Sequence, residues 1–99
     1  MAVYFSAGDW QLKEGHDEKD FIDAFLASVD PDPPIAGFVS RPRLLRDLGT
    51  QGRFLSFAEW ESRDAIDAFR SRPDFAEMMG RIREHADFSI MTLEHVAGG

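Results

Sequence analysis

The sequence predicts an α+β domain: one four-stranded antiparallel sheet with its helices packed on a single face. Apolar spacing runs in the order strand, helix, strand, strand, helix, strand, switching between alternation and a three-to-four-residue step. The middle two strands are joined by a short connection flanked by Gly49 and Gly52, as in a hairpin. The 99 residues are 43% apolar and include nine Phe, enough for one core and too few for a second module.

Residues Val3 to Leu12 alternate loosely and are rich in Val, Tyr, Phe and Trp, which reads as a first strand ending near Gly15. Asp17 can cap a helix whose apolar positions are Phe21, Ile22, Phe25, Leu26 and Val29. That helix cannot cross Asp30 to Pro34, because proline lacks an N–H and pushes its predecessor towards extended geometry. Phe38 to Leu45 and Arg53 to Trp60 read as strands two and three. Ser62 can cap a short helix carrying Ala65, Ile66 and Phe69. Pro73 is expected to start a further helical stretch with Phe75, Met78, Met79 and Ile82 on one side, and Arg81, Arg83 and His85 at its end suit the helix dipole. Phe88 to Val96 reads as the closing strand, and no internal repeat is evident. The order is the split βαβ arrangement of ferredoxin-like folds, βαββαβ.

Helices cover one face of such a sheet, yet strand three carries Phe54 and Trp60 on one parity and Leu55 and Phe57 on the other. Strand four likewise sets Phe88 and Ile90 against Met91 and Leu93. The chain has no residues left for a second covering layer, so a homodimer with sheet packed on sheet is expected.

Eighteen acidic against eleven basic residues, a net charge of −7, disfavour nucleic acid as a partner. The absence of Cys excludes thiolate catalysis, disulfides and iron–sulfur clusters. No stretch approaches the ~18 apolar residues of a membrane span and the first residues lack a basic leader, so the reading is a soluble, cytoplasmic protein without membrane contact.

The run Arg53-Phe-Leu-Ser-Phe-Ala-Glu-Trp-Glu-Ser62, followed by Ala65, Phe69, Arg72-Pro73 and Phe75, resembles the third strand and following helix of antibiotic-biosynthesis monooxygenase domains. Lys13-Glu14-Gly15 and Leu93-Glu94-His95-Val96 resemble the same family, so the likeness spans nearly all of residues 1–99 as a single domain. It implies a dimeric α+β barrel. It also implies oxygen insertion into a small aromatic or polycyclic phenol or anthrone, with dioxygen as co-substrate and neither metal nor other cofactor.

By that resemblance Trp60 and the residue four before it, Ser56, are the candidate catalytic pair. Family members that tailor polyketides carry Asn where this chain has Ser56, a single hydroxyl in place of an amide. Ser56 and Trp60 share strand parity and so face one cavity, with Phe25, Phe54, Phe69 and Met79 expected in its wall. Haem-degrading relatives use Asn, Trp and His at positions matching Gly8, Phe69 and Met79, which argues against haem chemistry. A non-catalytic ligand-binding or accessory protein on the same fold, or an isomerase of small carbonyl compounds, stands as the alternative.

Other polar residues have simpler readings. His16, His85 and His95 are the only side chains with ordinary pKa values near neutrality, and all read as surface residues. Arg41 and Arg43 suit a charged edge strand, with Arg46 on the opposite parity, Glu59 and Glu61 flank Trp60 ahead of a helix cap, and Met78-Met79 suits adaptable core filler.

Overall fold

The computed structural model describes residues 2–99. Its elements are β1 (Tyr4–Leu12), α1 (Glu18–Val29), β2 (Phe38–Arg46), β3 (Arg53–Trp60), α2 (Arg63–Arg70), α3 (Phe75–Arg83) and β4 (Ala86–Glu94). The strands form one antiparallel sheet in the order β2-β3-β1-β4, the ferredoxin-like arrangement.

Local chemistry sets the element ends. Asp17 caps α1 by accepting from the Lys19 N–H at 2.8 Å, and Ser62 caps α2 by accepting from the Ala65 N–H at 3.1 Å. Gly37 has φ +99, and a Cβ there would lie 2.6 Å from that of Ala65, so only glycine lets β2 start beneath α2. The helical stretch expected from Pro73 begins later, at Phe75. Arg72 reaches forward to both carboxylate oxygens of Asp74, at 3.0 and 3.2 Å, and closes residues 71–74 into a turn instead.

Strand four is also displaced from its expected bounds. Ala86 and Asp87 join the ladder opposite Leu12 and Gln11, whereas His95 and Val96 lie outside it. Pairing with β1 decides this, because β1 runs out at Tyr4, and the His95 N–H closes the ladder on Val3 O at 2.8 Å.

The register puts Tyr4, Ser6, Gly8 and Trp10 of β1 beside Phe54, Ser56, Ala58 and Trp60 of β3, facing the helices. The core beneath the helices is in two parts. Trp10, Phe21, Phe25, Phe54, Ile82 and Ala86 form the larger one, and Ala58, Trp60 and Ile66 the smaller. Leu26, expected on the buried stripe of α1, is 54% exposed: Phe21, Phe25 and Ser28 are the residues α1 buries.

The opposite face of the sheet carries Phe5, Leu55, Phe57, Met91 and Leu93 in adjacent register positions, with Leu45 on the edge strand. Leu45, Phe57, Met91 and Leu93 remain 51%, 39%, 39% and 40% exposed, so this face is apolar and uncovered by the chain's own helices. Among the described residues no helix is long and apolar enough to cross a membrane.

Candidate functional site

The seam between the two core parts is a cavity of about 60 Å³. Ser6 and Trp10 from β1, Ser56 and Trp60 from β3, Phe25 and Ser28 from α1 and Arg70 from α2 all reach it. Its apolar wall includes Ile35, Phe38, Phe69, Phe75, Met79 and Ile90.

Two tryptophan–serine pairs frame the cavity. The Trp10 indole N–H donates to Ser56 Oγ and the Trp60 indole N–H donates to Ser6 Oγ, each at 2.9 Å. Each indole thus reaches diagonally across the β1/β3 ladder, since Trp10 lies opposite Phe54 and Trp60 opposite Tyr4. Trp10 lies across Gly8, where a Cβ would fall 2.5 Å from the indole nitrogen. A side chain at residue 8 would displace the ring.

Aromatic neighbours hold both indoles. Trp10 sits edge-on to Phe25 at 5.8 Å and beside Phe88 at 4.8 Å; Trp60 contacts Phe38 at 4.5 Å and stacks on Phe69 at 5.7 Å. Because both serine oxygens accept from an indole, neither hydroxyl hydrogen is taken by that bond. Among the described residues neither hydroxyl donates to another group. Ser28, by contrast, spends its hydroxyl on Phe25 O at 2.6 Å.

Arg70 ends α2, four residues after the fully buried Ile66 and on the same helix face. Its guanidinium donates to Thr92 Oγ1 at 2.5 Å and to Met91 O at 2.9 Å, both neutral acceptors on β4. Among the described residues it has no carboxylate partner, whereas Arg41, Arg46, Arg53, Arg72 and Arg81 each have one. Burial pushes the Arg70 pKa down from its ordinary value, the exposed Asp67 opposing this weakly.

Trp60, Ser56, Phe25, Phe69 and Met79 all line the cavity. Phe54 does not: it packs at 5.2 Å against Phe21 in the larger core and borders a separate groove beside Ile22 and Leu44. Among the described residues no carboxylate or imidazole lines the cavity. His16 and His85 meet each other at 3.3 Å between Nδ1 atoms on the surface, and His95 contacts Ala97 O. Of the counterparts of the haem-degrading set, Gly8 lies beneath Trp10, Phe69 is stacked on Trp60, and Met79 offers a thioether where that chemistry needs an imidazole.

Ser6, Trp10 and Arg70 escaped the sequence reading, although for Ser6 and Trp10 a signal was there. Ser6-Ala-Gly-Asp-Trp10 and Ser56-Phe-Ala-Glu-Trp60 are two copies of Ser-x-x-acid-Trp. In paired antiparallel strands, such pentads place the Ser of one near the Trp of the other.

Comparison with known proteins bears on the family and the fold. The model of the antibiotic biosynthesis monooxygenase family matches residues 7–81. The fold is similar to that of SnoaB, a cofactor-independent oxygenase from Streptomyces nogalater, with a TM-score of 0.80 at 16% identity over 99% of this chain and 97% of that one. It is also similar to Rv0793 from Mycobacterium tuberculosis, with a TM-score of 0.76 at 14% identity over 97% of each chain. Among curated protein sequences none matches. With the family match spanning well over half of its length, the chain belongs to the antibiotic biosynthesis monooxygenase family.

Proposed function

We propose that the protein is a cofactor-independent monooxygenase that oxidises a small aromatic or polycyclic phenol or anthrone-type substrate with dioxygen, with Trp60 and Ser56 at its active site and a homodimer as its working form. The observation that carries this reading is the pair of serine hydroxyls, Ser6 and Ser56, each held by an indole N–H and each with its own hydrogen free in a cavity whose wall, apart from Ser28 and Arg70, is apolar. A shell that only binds an apolar ligand has no need of such donors. An oxygenase uses them where negative charge develops on oxygen.

For an anthrone the reaction balances without a cofactor. Loss of a proton gives the enolate, which passes one electron to dioxygen, and recombination of the radical pair forms a carbon–oxygen bond. The resulting peroxide loses the remaining C–H proton as its O–O bond breaks, giving the quinone and one water. One dioxygen is consumed per quinone. The serine hydroxyls would donate to the developing peroxide oxygen, and Trp60 would present its face to the ring.

The volume constrains the substrate path. About 60 Å³ takes a dioxygen or a water or two, far less than the ~300–1,000 Å³ of ligand pockets. A ring system must therefore displace wall side chains, and the unbranched Met79 is the most adaptable of them.

The homodimer reading rests on the exposed apolar sheet face and on the absence of any layer within residues 2–99 to cover it. The oxygenase is tested by incubating the protein under air with anthrones and dihydroxynaphthalenes and following quinone absorbance. Formation above the uncatalysed rate that is lost in Trp60→Ala supports it. A rate equal to background across the panel leaves the ligand-binding alternative.

A further inference from the structure

We propose that Arg70 is the anion-binding residue of this cavity, taking the phenolate or enolate oxygen of an aromatic ligand. The proposal deepens the oxygenase reading and rests on it for the ligand class.

Arg70 is the only ionisable side chain that lines the cavity among the described residues. Two of its five N–H groups go to Thr92 Oγ1 and Met91 O, which fix the guanidinium plane without neutralising it. Three donors and the full charge remain. The one carboxylate that acts on it, Asp67, is exposed, lies on its own helix, and makes no ion pair with it. A half-buried cation with only neutral partners is costly unless an anion joins it.

The same wall lacks a proton acceptor. Among the described residues no carboxylate or imidazole is there to deprotonate a phenol, so a site that needs the anion has to lower the pKa of the ligand itself. An opposite charge within about 4–6 Å lowers an acid's pKa by roughly 1–3 units. The O–H proton then leaves to bulk water, and the ligand oxygen stays against the guanidinium.

The test uses 4-nitrophenol, which titrates near neutrality and is yellow only when ionised, with 4-nitroanisole as its neutral match. In wild type the bound nitrophenol should ionise about one unit lower than the free compound, and above that midpoint it should bind about tenfold more tightly than the anisole. Arg70→Gln should abolish both the shift and the preference while anisole binding is unchanged. Arg70→Lys should retain part of each. Thr92→Val, which removes a neutral acceptor and keeps the charge, should retain the shift.

A midpoint unshifted or raised in wild type, a shift that survives in Arg70→Gln, or failure of wild type to bind either compound overturns the proposal. If Arg70→Gln does not fold, the wild-type midpoint and Arg70→Lys decide it. No oxygen is consumed here, so the two readings fail separately. A site that binds nitrophenolate through Arg70 but oxidises no anthrone removes the oxygenase and keeps the anion site. Oxidation without the Arg70-dependent shift removes only the anion site.

Discussion

At the scale of single residues, the tightest constraints lie around the two indoles. Ser56→Ala leaves the buried Trp10 N–H without its acceptor, and an unsatisfied buried donor costs ~1–3 kcal/mol, to be read from urea unfolding. Adding Trp10→Phe to Ser56→Ala should cost clearly less than the sum of the single changes, because the pair acts as a unit. Gly8→Ala should lose ~1–3 kcal/mol, since its Cβ would meet a ring already caged by Phe25 and Phe88. A wild-type Tm in Gly8→Ala would contradict the placement of Trp10. Trp60 and Ser56 were singled out by the resemblance to the family's strand-end Trp and the residue four before it, and shared strand parity put them on one face. Ser6 and Trp10 have the same spacing, but their relevance depends on the β1/β3 register, which neither segment contains alone. Phe54 shows the converse: it shares a face with Ser56 and Trp60, yet Phe21 on α1 covers it.

At the scale of elements, caps and pairing explain where the sequence reading succeeded and where it slipped. Asp17 and Ser62 announce α1 and α2 because a side-chain cap is a local signal. Ser62→Ala should destabilise by ~1 kcal/mol without altering the cavity wall formed by Phe69 and Arg70. The bounds of β4 depend on where β1 ends, and those of α3 on Arg72 turning towards Asp74, so neither is local. Arg53 ties β3 to β1 through a two-pronged contact with Asp9 at 2.9 and 3.1 Å. Its hydrogen bond, more than its charge, holds the Asp9 carboxyl below the usual range. A lowered folded-state pKa means that this contribution is complete above about pH 4, the ordinary Asp value, and lost as pH falls through the lowered one. Asp9→Asn should therefore flatten the acid limb of stability against pH. An unchanged limb would show that the contact contributes nothing in solution.

At the scale of the whole molecule, the order of elements and the two-sided apolar pattern of β3 and β4 made the fold legible, since both are periodicities that survive errors at the ends. The charge of the cavity was not legible, because nothing local in the sequence sets Arg70 apart from the other arginines: its place at the cavity and its neutral partners on β4 come from the tertiary fold. The proposed dimer predicts that Phe57→Glu combined with Leu93→Glu, two changes on the open sheet face, gives a monomer by sedimentation while wild type is a dimer. A wild-type monomer at micromolar concentration would remove it. The central claim is that two indole-held serines make this cavity an oxygenase site. Oxygen uptake with an anthrone in air, comparing wild type with Ser6→Ala/Ser56→Ala, tests it most directly. Uptake above the uncatalysed rate is expected in wild type, with one dioxygen consumed per quinone and a loss on the order of a hundredfold in the double variant. Uptake at the background rate in wild type, or undiminished in the double variant, would contradict it.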